Sequence, residues 1–452
     1  MSAQLRTFPT PLPLPCSTLD TSHPPHPSKE SPNTPMSDIA RLLAHHDVDL
    51  SWQQSFYEDL HERPELSGHE HETAEKIAAK LEDFDCEVTT HIGGFGIVAV
   101  FRNGEGPTAL FRADFDALPI TEKTGVPFAS TRVRPGPDGT RTGVMHACGH
   151  DMHTTALLGT CALLDAHRDA WSGTFIALFQ PAEETGEGAA AMVADGLVTR
   201  IPRPDVCLGQ HIMPGRAGEV QTMAGPQFAA CDSIRITIPG RSAHGSMPHN
   251  AIDPTYIAAM VIIRLQGIVG RAVDPNDFAV ISVGSLHSGT TNNIIPASAE
   301  LVLNCRFYSE TTKRRVYAAI RRVVEAECMA SGSEEAPTFE FFGHGELVDN
   351  SPEVFGTVRP VFDEVFGKES VDAQRTTVSE DFANIPKAFG VPYLYWVVGC
   401  TPQDLWDRAV AENRVKEDVP VNHMNTFLPE YGPTVSATTR AATAGVLAYL
   451  GH

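Results

Sequence analysis

The sequence predicts an α/β protein whose larger domain is built on a mostly parallel sheet. Short apolar runs that suit buried strands alternate with helical patterns over much of the chain. Side chains able to bind metal or move protons follow several of these runs, as expected where parallel strands end. Between residues 226 and 342 the order of predicted strands and helices changes, which predicts a smaller domain inserted into the larger one.

The larger domain is assigned from patterns on both sides of the insertion. Helices are predicted over 72–84 and 154–170, where apolar residues recur at helical spacing. The runs that predict strands are GIVAVF (96–101), TALFRAD (108–114), GTFIALFQ (173–180) and DVCLGQ (205–210). We predict that this domain comprises residues 37–225 and 343–452, with helices on both faces of its sheet.

The inserted domain, residues 226–342, is predicted from the order of its elements. The segments are DSIRITIPG, PTYIAAMVIIRLQGIVGR, FAVISVGSL, AELVLNCRFY, TKRRVYAAIRRVVEAECMAS and TFEFFG. They read strand, helix, strand, strand, helix and strand, which is the split βαββαβ unit of ferredoxin-like folds. A domain inserted beside an active site is expected to close over the substrate as a lid.

Length and composition are those of a globular protein with more than one hydrophobic core. The chain has 452 residues, of which 42% are hydrophobic and 20% charged. Its formal net charge is 34 − 56 = −22, and we find no basic patch. This balance argues against nucleic acid and anionic membrane as partners.

The N-terminal segment and the cysteines are used to predict the cellular compartment. Residues 1–35 are rich in Pro, Ser and Thr and are expected to be disordered, with Met36 as a second candidate start. Prolines interrupt the opening segment, unlike a signal peptide. The longest apolar run, 256–270, is short for a membrane span and contains Arg264. Nine cysteines without framework spacing favour reduced thiols, so we expect a cytoplasmic protein.

The motif HACGHDMH (146–153) is the first candidate for a metal site. Cys148 and His150 are one residue apart, so both side chains can face one ion from a loop. Thiolate and imidazole suit zinc or a similar divalent metal. An isolated Cys-Gly-His run is more often a structural cysteine beside surface histidines, so the interpretation needs support from elsewhere in the chain.

Three further clusters give that support. Glu183 and Glu184 directly follow the strand 173–180, and neighbouring carboxylates at a strand end repel unless a cation or a shared proton compensates. His211 follows the run 205–210, and His423 lies in a loop before the last predicted helix. A lone histidine is usually structural, but four such clusters at predicted strand ends and loops favour a metal centre.

Eight motifs then occur in a specific order: RADFDALP, HACGHDMH, QPAEETGEG, GQH, SAHGSMPH, TNNIIP, SEDF and NHxxxF. In this order they resemble the N-acyl-amino-acid amidohydrolase branch of the two-metal aminoacylase/carboxypeptidase superfamily, which includes hippurate hydrolases and indole-acetyl-amino-acid hydrolases. The resemblance covers the chain from about Leu60 to its end. It implies hydrolysis of the amide bond of N-acyl-L-amino acids, two divalent metal ions, and a homodimer formed through the inserted domain.

The resemblance also assigns roles to individual residues. It implies that the metal ligands are Cys148, His150, Glu184, His211 and His423. Zn²⁺ is the expected metal, with Mn²⁺ or Co²⁺ as alternatives. Glu183 is implied as the general acid/base. The loop Asn422–Asn425 reads NHMN where the family commonly has NHSP, which puts the preference for the acyl group in doubt.

Residues outside the ligand set have implied roles as well. His244 would stabilise the oxyanion, in its own site or in that of a partner subunit. Asn293 and Arg306 would hold the substrate carboxylate or carbonyl, although Arg306 is also compatible with a surface charge on an edge strand. Asp114 and Asp116 are expected to support the ligands, because the ligand histidine that relatives elsewhere in the superfamily carry in this segment is absent.

Amide hydrolysis accounts for this combination of groups. Metal ions lower the pKa of water and polarise the carbonyl group, and five ligands exceed the need of one open tetrahedral ion. A cysteine hydrolase with Cys148 as nucleophile and His150 as base would leave Glu184, His211 and His423 without a role. A dipeptidase or carboxypeptidase with the same site remains an alternative. An inactive relative would be expected to lack the base or a ligand, and all are present.

Overall fold

A computed structural model of the chain describes residues 36–135 and 141–452; the predicted disordered segment, 1–35, lies outside them. The helices are α1 Asp38–His45, α2 Trp52–Glu62, α3 His71–Leu81, α4 His150–Ala166, α5 Gly188–Ala194, α6 Leu197–Arg200, α7 Pro254–Ala272, α8 Glu310–Ala330, α9 Pro352–Phe366, α10 Asn384–Phe389, α11 Gln403–Ala411, α12 Val415–Asp418 and α13 Tyr431–Leu450.

The strands are β1 Glu87–Ile92, β2 Gly96–Asn103, β3 Thr108–Asp114, β4 Val133–Pro135, β5 Arg141–Gly143, β6 Gly173–Gln180, β7 Val206–Arg216, β8 Val220–Thr222, β9 Gly225–Phe228, β10 Ala230–Pro239, β11 Ala243–His244, β12 Ala279–Ser288, β13 Ile294–Ile295, β14 Ser298–Phe307, β15 Thr338–Gly345, β16 Val348–Asn350, β17 Ser370–Asp372 and β18 Tyr393–Thr401. Three short 3₁₀ helices occupy Arg168–Ala170, Pro248–Asn250 and Gly367–Glu369.

The large sheet has eight strands in the order β1-β2-β6-β3-β7-β18-β8-β17. Its four central strands, β6, β3, β7 and β18, run parallel to one another. Strands β1 and β2 are added antiparallel at one edge, and β8 is antiparallel to β18 near the other. The sheet is therefore mixed with a parallel centre, which confirms the predicted α/β class.

Both faces of the central strands are buried, which explains why their sequences are continuously apolar. Alternate residues of a strand point to opposite faces. In β3, Phe111 packs into one hydrophobic core with α4 and α13, whereas Leu110 packs into a second core on the opposite face with α5 and α10. Parallel sheets covered by helices on both sides are expected to show this pattern.

The small sheet has four antiparallel strands in the order β12-β14-β10-β15. With α7 and α8 the elements follow the sequence strand, helix, strand, strand, helix, strand, in agreement with the predicted order. The two helices cover one face and share a core with alternate residues of the strands, among them Ile236 and Leu303. The proposed domain boundaries and the lid role of this region stay predictions.

Helix α7 is long and apolar enough by composition to cross a membrane, although only 28% of that segment is buried. Its buried residues include Ile257, Val261 and Leu265, which belong to the core beneath the small sheet. Core helices of soluble proteins meet the same criterion, so this feature is weak evidence for a membrane span.

Two boundaries differ from the sequence prediction. Helix α4 begins at His150, four positions before the predicted start at 154, because Gly149 turns the chain into the helix with φ of +83°. Strand β7 does not end before His211 but continues to Arg216, because pairing with β18 extends from Cys207 to Arg216. The second boundary depends on pairing with a distant strand, so it could not be predicted from the local sequence.

Candidate active site

The candidate site lies where the central parallel strands end. Strand β3 ends at Asp114 and β6 at Gln180, the two being direct neighbours in the register. The chain after β6 places Glu183 and Glu184 at this edge, and His211 stands within the adjacent β7. Ligand and catalytic groups are expected at this end of an α/β sheet.

Cys148 and His150 reach the site from the turn that begins α4. Gly149 between them adopts a left-handed backbone, and a Cβ at that position would lie 2.3 Å from Ile212 Cδ1. The glycine therefore permits both the turn and the close approach of β7. The Cys148 Sγ atom lies 3.5 Å from His211 Nε2.

The hydrogen bonds of His211 determine which ring nitrogen faces the site. His211 Nδ1 lies 2.7 Å from the carbonyl oxygen of Ile212, which can only accept, so Nδ1 carries the proton. Nε2 is then left with a lone pair directed towards Cys148. This is the tautomer required for metal ligation through Nε2.

The remaining two ligand candidates, Glu184 and His423, meet across the site. Glu184 Oε2 lies 3.3 Å from His423 Nε2. Together with Cys148 these side chains form a group whose ligand atoms all lie within 4.8 Å of one another. A second such group consists of His150, Glu183 and Glu184, so Glu184 belongs to both. The structure thus brings all five predicted ligands to one edge of the sheet.

Unsatisfied buried atoms provide a test of whether metal ions fit this site. Among the residues that the structure describes, His150 Nε2 and Glu184 Oε1 are buried without a hydrogen-bond partner, and they lie 3.8 Å apart. Buried polar atoms are normally paired, so two that face each other require a cation or a proton between them. One thiol, three imidazoles and a carboxylate form a donor set that suits borderline divalent cations.

Asp116 supports two of the ligand candidates at once. Its Oδ1 lies 3.0 Å from His150 Nδ1, which fixes the ring and leaves Nε2 directed into the site. Its Oδ2 accepts hydrogen bonds from the hydroxyl group of Ser67 and from the backbone N–H of Glu184. A carboxylate behind a ligand histidine is the usual arrangement in metal centres, and the predicted supporting role of Asp116 agrees with this geometry.

Asp114 supports the site through a histidine that the sequence analysis did not assign. His153 lies among Asp114, His150 and His211. Its Nδ1 is 2.5 Å from Asp114 Oδ1, and its Nε2 accepts the backbone N–H of Ile212 at 2.9 Å. Both ring nitrogens are therefore engaged, and His153 is a structural neighbour of the ligands. Only the tertiary contacts distinguish it from His150, since both lie in one motif.

Glu183 is surrounded by other acids. Its carboxylate lies within 4.8 Å of those of Glu380 and Asp381, which belong to the SEDF motif. Burial, followed by the negative charge of Glu380, raises the pKa of Glu183 well above its ordinary value. A carboxyl group with a raised pKa is suited to accept and return a proton near neutrality.

A buried arginine balances these acids and was missed from the sequence. Arg112 is completely buried, and its guanidinium group contacts Asp114 at 2.6 Å, Glu380 at 2.7 Å and Asp381 at 3.0 Å. Burial raises the pKa of Asp381 to about 7, although Arg112 opposes the shift. The motifs RADFD and SEDF could have indicated this cluster of buried charges, because charged residues in or next to buried strands require partners.

A cavity of about 390 Å³ opens beside the candidate ligands. Its lining includes the apolar side chains of Met213, Phe228 and Val378. Arg306 also lines the cavity: its Nε donates to Asn304 Oδ1 at 3.0 Å, while its Nη1 is buried without a partner in the described part of the chain. A guanidinium group with an unpaired nitrogen, in a residue that lines a cavity, is suited to a ligand carboxylate.

His244 and Asn293 lie elsewhere in this chain. They come together on the ribbon formed by β11 and β13, where the N–H of Gly245 donates to the carbonyl oxygen of Asn293 at 2.7 Å. Both side chains are exposed, and neither residue lines the cavity beside the ligands. Their implied roles stay predictions, and such roles would require a partner subunit or closure of the small sheet over the cavity.

Comparisons with known proteins agree with this geometry. Residues 110–426 match the sequence profile of peptidase family M20/M25/M40. The N-acetyl-L-cysteine deacetylase of Bacillus subtilis is 36% identical over 336 residues, which is 73% of this chain and 77% of that protein. The hippurate hydrolase of Campylobacter jejuni is 35% identical over 327 residues, covering 72% and 82% respectively.

A solved structure shares the architecture. The dinuclear metal-binding peptidase of family M20 from Bacillus subtilis superposes with a TM-score of 0.69 and 28% sequence identity. The match covers 88% of this chain and 98% of that one. This chain therefore shares its fold over most of its length with a protein described as binding two metals.

Proposed function

The chain belongs to peptidase family M20/M25/M40 and is a metal-dependent amidohydrolase, and from this premise we propose how its residues hydrolyse N-acyl-L-amino acids. The reaction releases a carboxylic acid and a free amino acid. The observation that carries the proposal is the convergence of five ligand candidates with a carboxyl group of raised pKa beside a cavity.

Two divalent ions fit the ligand groups, and we propose Zn²⁺ as the native metal. Cys148, Glu184 and His423 form one group, and His150 and Glu184 belong to the other, with His211 next to Cys148. When bound, such ions polarise the carbonyl group and lower the pKa of water. The thiol favours zinc among the candidates, because thiolate is a softer ligand than carboxylate.

Glu183 is the proposed general acid/base. Its side chain lines the cavity next to the ligand Glu184, so it can reach both an attacking water and the leaving nitrogen. Glu183 accepts the proton from water as the oxygen attacks the carbonyl carbon. It then returns that proton to the amine nitrogen as the C–N bond breaks. Arg112 lowers the cost of concentrating negative charge around this exchange.

Arg306 is proposed to orient the substrate by its free carboxylate. Arg306 lines the cavity, its Nη1 has no partner in the described chain, and its Nε is held by Asn304. The apolar lining residues Met213, Phe228 and Val378 would contact the apolar part of the substrate. Substrates with an α-carboxylate should therefore be preferred over their amides.

We also propose that the protein is a cytoplasmic homodimer. The eight cysteines that the structure describes are all free, which fits a reducing compartment. Tyr256 and Ile263 on α7 are exposed large apolar residues, and β12 is an edge of the small sheet without a neighbour among the described strands. A second copy packed there would cover both features.

Substitution of Glu183 tests the reaction directly. Glu183→Gln should retain two metal ions per chain while kcat falls by about 10²–10⁴-fold, the usual contribution of a general acid/base. Purified enzyme should be assayed for amine release from N-acetyl and N-benzoyl amino acids and from a dipeptide panel. Loss of activity with a chelator, and its return with Zn²⁺, is expected. Faster release from the dipeptides would instead identify a peptidase, and full activity of the Glu183→Gln variant would remove Glu183 from the mechanism.

A further inference from the structure

The two adjacent glutamates stand on a turn whose first residue has an unfavourable backbone. Ala182 has φ of +51°, in the left-handed region that alanine seldom adopts. Its carbonyl oxygen accepts hydrogen bonds from the Thr185 hydroxyl group and from the N–H groups of Glu187 and Gly188. These bonds close the turn, but none of them involves the N–H of Ala182, which needs an acceptor from another part of the chain.

A buried carboxylate from a distant loop holds that N–H group. Glu70, immediately before α3, is 0% exposed, and its Oε1 accepts the N–H of Ala182 at 2.8 Å across 112 positions of sequence. Its other oxygen, Oε2, has no hydrogen-bond partner among the residues described. Burying a carboxylate with one oxygen unpaired costs stability. A role other than stability is therefore the better explanation of Glu70.

Asp116 provides the matching contact on the other side of the catalytic residue. Its Oδ2 accepts the N–H of Glu184 at 3.0 Å. The N–H groups of Ala182 and Glu184 are thus each held by a buried carboxylate, and Glu183 lies between them. Asp116 anchors the ligand Glu184, whereas Glu70 anchors the residue on the opposite side, which has no ligand role.

We propose that Glu70 is a positioning residue for Glu183: it holds the Ala182 peptide in its left-handed conformation and so directs the Glu183 side chain into the cavity. This inference rests on the proposed function of Glu183. A general base works only within hydrogen-bond reach of its proton. Without Glu70, the Ala182 peptide is free to relax to an ordinary conformation, which would rotate the following residue away.

The test compares variants that keep or remove the hydrogen-bond acceptor. Glu70→Ala and Glu70→Leu remove it, and Leu also fills the buried space so that the protein folds even if Ala leaves too large a hole. Glu70→Gln keeps an acceptor oxygen. Glu65 is the matched control, because its buried carboxylate accepts from Thr73 N and Oγ1 and makes no hydrogen bond to the turn.

We expect Glu70→Leu to lower kcat by about 10²-fold, the cost of a displacement of roughly 1 Å. KM should stay within about threefold of the wild-type value, because substrate binding is not touched. Two metals per chain should remain, since Asp116 still holds Glu184. Glu70→Gln should recover most of kcat, and Glu65→Ala should lower stability while kcat stays unchanged. Wild-type kcat in Glu70→Leu, or failure of Gln to restore it, would overturn the proposal.

Hydrogen exchange supplies a readout that does not depend on activity. The amides of Ala182 and Glu184 lie in one short peptide, and its exchange should be faster in Glu70→Leu than in wild type, Glu70→Gln or Glu65→Ala. If the wild-type enzyme does not hydrolyse N-acyl amino acids, the proposed function fails while this exchange result still stands. Unchanged exchange in Glu70→Leu shows that Glu70 does not hold the turn, whatever the reaction is.

Discussion

At the scale of single residues, hydrogen bonds decide which of several similar side chains face the site with a free atom. His150, His153 and His211 are all buried within one cluster. His150 and His211 each use Nδ1 for a structural contact and keep Nε2 for the site, whereas His153 uses both nitrogens. Residue type alone cannot make this distinction, because the partners come from other elements.

Cys148 should be required for metal binding. Burial raises the pKa of its thiol, so only a cation at the site makes the thiolate favourable. Cys148→Ser should lower the affinity for Zn²⁺ by at least about 100-fold, measured by competition with a chelator. Cys161→Ser, at a buried cysteine farther along α4, is the control and should bind as wild type. Undiminished affinity in Cys148→Ser would restore the cysteine hydrolase alternative.

Arg306 should determine recognition of the substrate carboxylate. Removal of a charge-assisted hydrogen bond typically costs about 1.5–3 kcal/mol, so Arg306→Leu should raise KM by roughly 10–100-fold. The rise should be absent for substrates whose carboxylate is replaced by an amide. Arg235→Leu, at an exposed arginine on β10 paired with Glu340, is the control and should leave KM unchanged. Equal effects on both substrate classes would contradict the assignment.

At the scale of elements, buried charges join the helices and strands that build the site. Arg112 in β3 contacts Glu380 and Asp381, which precede α10. His61 in α2 lies between Asp151 in α4 and Glu122, at 2.7 Å and 3.1 Å. Both ring nitrogens of His61 face groups that only accept, so the ring is an imidazolium that ties α2 to the beginning of α4.

This contact makes stability depend on pH. Burial alone would lower the pKa of His61, but hydrogen bonds to Asp151 and Glu122 raise it from 6.5 to about 9. A raised pKa in the folded state stabilises fully below pH 6.5, and that stabilisation is lost as pH rises through about 9. The loss should be about 3 kcal/mol in the free energy of unfolding.

Urea unfolding at pH 6 and pH 10 measures this effect as a difference between wild type and His61→Gln. The comparison is needed because His344, hydrogen-bonded to Asp232 and Glu346, has a pKa that is also raised to about 9. The variant should lose about 3 kcal/mol less than wild type over this range. The same pH dependence in both proteins would show that His61 is not charged in the folded state.

At the scale of the whole molecule, the position of His244 raises the question of which active site it can reach. His244 and Asn293 are exposed on a ribbon away from the cavity, although the resemblance implies roles for both in catalysis. The proposed homodimer, if formed through the small sheet, would reconcile these facts, because one subunit would then supply His244 to the site of the other. Exposed Tyr256 and Ile263 on α7 fit such an interface.

Mixing two inactive variants tests this arrangement. His244→Ala and Glu183→Gln should each be inactive alone. If His244 acts in the site of the partner, a heterodimer has one site with both residues, so random mixing should restore roughly a quarter of wild-type activity. Sedimentation should show dimers throughout. Mixtures that stay inactive despite subunit exchange would place His244 in the site of its own subunit, and an active His244→Ala variant would remove it from the mechanism.

The sequence by itself determined the α/β class, the order of elements in the small sheet and the candidate ligands, because periodicity and motif order are local properties of the chain. It did not show that Arg112 pairs with acids 268 and 269 positions away, or that Glu70 holds the Ala182 turn. Those contacts depend on which strands become neighbours and which loops meet at their ends. Only the folded chain brings together buried charges that are each unfavourable alone and become stable through one another.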